Sequence, residues 1–404
     1  MRRTIALCAL STAAGFVQQL APMSRSRPSA RAAASIAAPE AEAVEMAECP
    51  ETVWGARFDA RAEQAAMRAR ELKAFPLEID AASLGLDGEE AQRAYFARER
   101  ETMAKALVDH GVIVLRGFSL AREPEGFQQL TSALGLEPCL DPLHSVSARP
   151  TIGDGKSAVY EAVNKESRKN FFIGMHNEFV GKRAPRRAAF VCFKAAEEGG
   201  EFLVCDGRRV FRDIPTDLLG KLYDNSIRYS VMELPFFGWI DSLPDVLQEP
   251  MQVIVKATVS AALNAKVDFD VELQWGSEGY DGVRMLQARA PVQPPAVRHP
   301  ESGEPTWFCN VHSHSAKLRR DREEIYGKER FESGASRINK SDMFFGDGSG
   351  ITDEELAALD EATVKNIEYI KMTPGDVVLV DNYSAMHGRN VFDGTRKHAV
   401  TWFK

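Results

Sequence analysis

The chain lacks most of the features that declare a protein's chemistry at sight. Its six cysteines (Cys8, Cys49, Cys139, Cys192, Cys205, Cys309) are scattered over 404 residues with no C-x-x-C pair. That spacing excludes a thiolate zinc cluster, offers no disulfide framework and suits a reducing compartment. Positive charge is in deficit, with 50 Lys and Arg against 58 Asp and Glu and a formal net charge of −8. Nucleic-acid binding needs a clustered basic excess, so no nucleic-acid partner is expected. Long apolar runs are missing too: the run Thr4–Val17 is too short to span a bilayer, and no stable membrane span is expected. No internal repeat or low-complexity tract appears after residue 45. What remains, 44% hydrophobic and 27% charged, is ordinary globular composition at a length that fits one large domain or two.

The first 44 residues read apart from the rest. Arg2 and Arg3 precede the apolar run, and an Arg-, Ser- and Ala-rich stretch follows it. Through Pro39 there are five arginines and no acidic residue, so the remainder carries a formal charge of −13. A signal-like core followed by a basic hydroxylated stretch is a targeting pattern. It resembles the bipartite presequence of algae with complex plastids, with Phe16 after the cleavage site, and implies a plastid destination. A mitochondrial or secretory leader is the alternative. Residues 45–404 are expected to form the functional domain.

Within that domain the pattern predicts a lead-in helix in residues 40–75, a helix from Glu89 to His110 stopped by Gly111, and a buried strand from Val112 to Phe118. A short helix is expected over Phe127–Leu134 and another over Val210–Tyr223. Apolar runs at Phe171–Ile173, Ala188–Phe193, Phe202–Cys205 and Trp307-Phe308, broken by Gly and Pro, suit the strands of a sandwich or barrel. Thr352 with Glu355 three residues on is a capping box, and Leu356, Leu359 and Ile367 are read as one helical face. Pro374-Gly-Asp376 then turns into the strand Val377–Val380, which points at His387. The whole reads as mainly β, with flanking helices around a β core.

Among only eight histidines, His176-Asn-Glu178 follows an apolar strand. In extended backbone, residues i and i+2 face one side, so His176 and Glu178 can offer a nitrogen and an oxygen to one ion. His387, after a second apolar strand, is a third donor. Two His and one carboxylate with open positions is the donor set of non-haem Fe(II) oxygenases. H-x-E alone arises often by chance, and taken alone it favours a reading as solvated loop residues.

The surroundings decide. Met175-His-Asn-Glu178, Pro185-Arg-Arg187, Phe190-Val-Cys-Phe193, Glu198-Gly-Gly-Glu201 and Asp206-Gly-Arg-Arg-Val210 stand in order before Phe344-Phe-Gly-Asp-Gly-Ser349, Pro374-Gly-Asp376, Asp381-Asn382, His387-Gly-Arg389 and Arg396. This ordered set, over roughly residues 90 to 404, resembles the taurine dioxygenase (TauD/TfdA) and clavaminate synthase-like family. The resemblance implies a double-stranded β-helix (jelly roll), an Fe(II) ion held by His176, Glu178 and His387, and 2-oxoglutarate as co-substrate. It implies that Arg396 pairs with the far carboxylate of 2-oxoglutarate, a task that suits a planar guanidinium, with Arg389 a second candidate. O2 and a small-molecule substrate are the expected partners. The segment Val297-Arg-His-Pro300, Gly303-Glu-Pro305 and Trp307-Phe308 is similar to amino-acid-hydroxylase-like members, so a small amino or carboxylic acid is expected as substrate. A ligating Glu178 leaves no site for chloride, which favours hydroxylation or desaturation over halogenation.

Two departures stand out. Phe202 occupies the position where relatives carry a Thr that holds 2-oxoglutarate, and Trp307-Phe-Cys-Asn310-Val-His312 replaces Trp-Phe-Asn-Gln. Asn310 and His312 are expected to line the pocket. His312-Ser-His314 is a rival cupin-like metal motif, but Lys317–Arg320 supplies no following Glu. Lys182, Arg183, Arg186 and Arg187 are read as a solvated loop. The alternatives are a degenerate member that keeps only the fold, and a cupin-type metalloenzyme that does not use 2-oxoglutarate.

Overall fold

The structure is a computed structural model and describes residues 57–142, 149–152, 159–162, 164, 169, 172–264, 271–275, 286–326 and 342–404. The expected presequence, Phe171 and residues 40–56 of the lead-in segment lie outside the described residues. Two facing sheets organise the rest. The strands that build them are β1 (Leu77–Asp80), β2 (Val112–Arg116), β3 (Ile173–His176), β4 (Arg187–Lys194), β5 (Phe202–Asp206), β6 (Ile367–Ile370), β7 (Val377–Asp381), β8 (Ala385–Arg389) and β9 (Lys397–Phe403). The large sheet runs β1-β2-β7-β4-β9, extended at β9 by the short strands Pro138–Cys139 and Tyr160–Glu161. Only β1 and β2 pair in parallel; β2, β7, β4 and β9 pair antiparallel. The small sheet runs β6-β5-β8-β3, antiparallel throughout.

Side chains alternate across each strand, and both faces of the two sheets are covered. Val112 and Val114 of β2, Phe190 of β4, Val378 and Val380 of β7 and Trp402 of β9 meet Phe202 and Val204 of β5 and Ala385 of β8 between the sheets. The opposite faces of the same strands, Ile113, Leu115, Val191 and Leu379, pack on Phe96, Met103, Leu107, Phe127 and Leu130 of the N-terminal helices. Behind the small sheet, Leu203, Cys205 and Met386 pack on Phe211, Leu219, Leu356 and Leu359. Burial on both faces is why β2, β4, β5 and β7 read as apolar runs rather than as apolar–polar alternation.

Several expected elements are corrected. The helix expected over Glu89–His110 is two, Glu89–Arg98 and Arg100–His110, with a bend at Glu99 that lets Phe96 and Met103 both reach the large sheet. The helix expected at Val210–Tyr223 is also two, Gly207–Asp213 and Thr216–Asn225, because Pro215 stands between them. Residues 57–75 hold one short helix, Ala60–Arg68. The capping box is present at Thr352 and Glu355, but that helix ends at Val364, so Ile367 lies on β6 and not on its face. A third, four-stranded sheet (Glu272–Trp275, Leu286–Arg289, Ile227–Leu234, Asp342–Phe345) carries the helix Asp245–Asn264, which the sequence reading did not include. No helix among the described residues is long and apolar enough to cross a membrane.

Candidate metal centre

β3 and β8 are neighbours in the small sheet, and their antiparallel register sets His387 directly opposite His176. The two rings lie 4.3 Å apart between centroids. Glu178 follows β3 by two residues, and one donor atom from each of His176, Glu178 and His387 lies within 4.8 Å of the others. Among the described residues this is the one group of three or more such side chains that comes together. His312 and His314 do not join it.

The imidazoles suit a metal. His176 Nδ1 lies 2.8 Å from the Gly174 carbonyl, which can only accept, so Nδ1 is the donor and Nε2 is the nitrogen left for a metal. His387 is buried, and its Nδ1 has no hydrogen-bond partner among the described residues. Burial, with the charges of His176 and Arg149 adding to it, holds His387 well below the ordinary imidazole pKa and therefore neutral. A buried polar atom without a partner carries a desolvation cost that a bound ion relieves.

Three asparagines fix the backbone between the donors. Asn310 accepts from the Asn177 amide at 2.8 Å and donates to the Asn177 carbonyl at 3.0 Å. Asn382 accepts from the Glu178 amide at 2.8 Å and donates to the carbonyls of Glu178 and Pro185 at 2.7 and 2.8 Å. Asn177 itself donates to the carbonyls of Asn382 and Ala385 just ahead of His387, which ties the two donor segments together. His312 supports the preceding residues: its Nδ1 accepts from the Met175 amide at 2.9 Å, and its Nε2 faces Asp360 at 3.1 Å. Burial drives His312 down to about 4, against the pull of Asp360, with Arg322 adding to the drop. Gly174 is required here because a Cβ would sit 2.5 Å from the His312 carbonyl oxygen. The expectation that Asn310 and His312 line the pocket is corrected: both brace the backbone of the donor segment instead. His314 stacks on Tyr229 at 5.0 Å.

The donors open onto a cavity of about 70 Å³, whose lining includes Phe190, Phe202, Trp402, Arg389 and Arg396. Phe202 lies opposite Arg389 in the β5–β8 register and stacks its ring parallel to His387 at 6.2 Å, so the expected hydroxyl position is an aromatic wall. Arg396 is 4% exposed, and its Nη1 donates to the Ala162 carbonyl at 3.0 Å. Its Nη2 lies 3.0 Å from His398 Nδ1, and its Nε is buried without a partner among the described residues. Burial lowers Arg396 to about 10, which leaves it cationic at neutral pH. Arg389 is buried beside Phe392, whose ring also lies under Arg396. Arg186 and Arg187 are engaged with Glu301, and Lys182 is exposed. One charged cavity residue escaped the sequence reading: Arg149, remote in sequence from every motif.

Two imidazoles and a carboxylate grouped beside a cavity lined by arginines and aromatic rings are the donor set of a mononuclear non-haem metal centre. The profile described as "Taurine catabolism dioxygenase TauD, TfdA family" matches residues 71–402, and the chain belongs to that family. It is accordingly an oxidoreductase of the Fe(II)- and 2-oxoglutarate-dependent dioxygenase class. Among curated proteins it is similar to dapdiamide synthesis protein DdaC of Enterobacter agglomerans, 27% identical over 292 residues that cover 72% of this chain and 81% of the relative. Similar solved structures include the PvcB protein from Pseudomonas aeruginosa, at 14% identity and a TM-score of 0.42, covering 75% of this chain and 79% of that one. Another is an asparagine oxygenase in complex with Fe(II), 3-hydroxyasparagine and succinate, at 13% identity and a TM-score of 0.41, covering 85% and 89%.

Proposed function

We propose that His176, Glu178 and His387 hold Fe(II), that Arg396 receives the far carboxylate of 2-oxoglutarate, and that the enzyme hydroxylates a small amino- or carboxylic-acid-type substrate with release of succinate and CO2. The observation that carries this reading is the polarity of one cavity. Two imidazoles and a carboxylate stand at one end, and a buried guanidinium stands in the same lining with no acidic partner among the described residues. The two facing sheets, with both imidazoles on neighbouring strands of the smaller one, support a double-stranded β-helix.

Bound Fe(II) and the keto acid together supply the activation of O2 that places an oxygen atom in a C–H bond. The chain supplies the rest. Ala162, Asn164 and His398 hold Arg396 by its Nη atoms, which leaves the Nε edge for a carboxylate. His398 is held well below its ordinary pKa by burial and by the charges of Arg396 and Arg389, so Nδ1 stays available as an acceptor and the guanidinium stays oriented. Phe190, Phe202 and Trp402 exclude water from the donors and strengthen every charge interaction there. Arg389 is assigned a supporting electrostatic role toward the same anion.

Anaerobic titration of the full chain with Fe(II), with and without 2-oxoglutarate, tests the reading. A weak visible charge-transfer band is expected from the Fe(II)–keto acid chelate. Glu178→Ala is expected to abolish it, and Arg396→Ala to weaken 2-oxoglutarate binding about 100-fold, the cost of about 2.7 kcal/mol for a lost buried charge-assisted pair. Iron binding without the band favours a cupin-type enzyme; no iron binding leaves a degenerate fold.

A further inference from the structure

Arg149 reaches the donors from the stretch between Pro138–Cys139 and Tyr160–Glu161. Its Nη2 lies 3.5 Å from Glu178 Oε2 and its Nε 3.5 Å from Asp141 Oδ2. The guanidinium carbon sits 5.4 Å from the Trp402 ring centroid. The Arg149 side chain is 20% exposed and that of Asp141 is 1% exposed. A buried acid, an aromatic face and the Glu178 carboxylate thus set the guanidinium from three directions.

We infer that Arg149 is a positioning residue that occupies one oxygen of Glu178 and so limits this side chain to a single donor oxygen. The inference rests on the reading of His176, Glu178 and His387 as metal donors. The Asn382 bonds fix the Glu178 backbone but leave its side chain free to rotate. Glutamate has a longer stem than aspartate, and an unrestrained carboxylate swings to chelate a metal through both oxygens. Bidentate ligation fills one of the positions that the keto acid and O2 need. Arg149 is the one cation paired with the Glu178 carboxylate among the described residues. A cation this close to a metal site repels the ion, and Asp141 offsets that repulsion by pairing with the far side of the same guanidinium. The result is orientation of Glu178 with little net positive charge added to the site.

The test uses the full chain with Mn(II) as probe, and compares wild type with Arg149→Ala, Arg149→Gln and Arg149→Lys. Water-proton relaxation counts the waters on bound Mn(II), and titration gives the affinities for 2-oxoglutarate and for pyruvate, which lacks the far carboxylate. The expected result is one fewer bound water in the Ala and Gln variants. Mn(II) affinity stays within about threefold of wild type or tightens, since bidentate ligation replaces the lost orientation. Both keto acids weaken about tenfold, whereas Arg396→Ala weakens 2-oxoglutarate and leaves pyruvate unchanged. Lys restores part of the loss. The Gln variant, which retains much of the side chain over Trp402, serves if the Ala variant does not fold. An unchanged water count overturns the proposal, even if keto acids weaken, because Arg149 then touches the keto acid directly. A wild-type protein that binds no Mn(II) overturns the metal centre itself, a distinct failure.

Discussion

Asn382→Ala tests whether the asparagine frame positions the site or merely fills space. The side chain is 1% exposed and makes three hydrogen bonds at 2.7–2.8 Å, all to backbone groups of Glu178 and Pro185. Truncation leaves one amide and two carbonyls without that partner. At about 1–3 kcal/mol for each buried group left unsatisfied, and with partial rescue by entering water, the expected loss is about 4 kcal/mol. Arg68→Ala is the control, because Arg68 also makes three hydrogen bonds, to Arg212, Thr216 and Ile214. Those bonds are largely at the surface, and Gln64 still serves the Ile214 carbonyl, so the expected loss is below about 1 kcal/mol. Urea unfolding gives both values. Mn(II) titration of the folded variants gives the second readout, where Asn382→Ala is expected to weaken binding about 10–100-fold and Arg68→Ala not at all. Equal destabilisation by the two substitutions refutes the energetic argument. Loss of stability with unchanged metal affinity refutes the positioning argument.

Gly174→Ala forces a Cβ against the His312 carbonyl and is expected to cost more than about 2 kcal/mol, with Mn(II) affinity falling in parallel because His176 shares the strand; thermal unfolding and metal titration check both. Asp213 is held at about 2: burial raises it, but bonds from Arg212, Asn366 and Lys365 overcome that. Its folded pKa is below its unfolded value, so the stabilisation is complete above 3.8 and is lost as pH falls toward about 2. Asp213→Asn is expected to cost about 1 kcal/mol at pH 7, discounted for solvent screening, with the difference from wild type vanishing at acid pH in urea titrations. A fusion of residues 1–44 to a fluorescent protein is expected to enter the plastid of an alga with a complex plastid, and Phe16→Ala to divert it; imaging decides.

The strands were legible where burial is two-sided. Val112–Leu115 and Val377–Val380 are unbroken apolar runs because one face meets the N-terminal helices and the other the small sheet. The capping box announced the helix at Asp353, but nothing local marks its end at Val364, and Ile367 was assigned to the wrong element because an apolar residue at that spacing fits a helix or a following strand. His176, Glu178 and His387 were legible as an ordered set of motifs, not as an H-x-E tripeptide. Asn310 and His312 were placed at the right site in the wrong role, since a sequence shows which residues are polar but not whether they face a cavity or the backbone behind it. Arg149 was illegible: Asp141, Glu178 and Trp402 give it meaning, and they come from separate parts of the chain.

The register that puts His387 opposite His176 joins segments more than two hundred residues apart. An ion held by this pair, as proposed above, would therefore close a very long loop, which only β8 can complete. During synthesis the first two donors emerge well before the third, and no iron is captured in its final geometry until the C-terminal strands have docked. Held there, the ion would act as a clasp between the two halves of the chain, and its contribution to stability would follow free metal concentration by mass action. Resistance to proteolysis should then track iron supply, so that the metal-free enzyme is the form cleared first when iron is scarce.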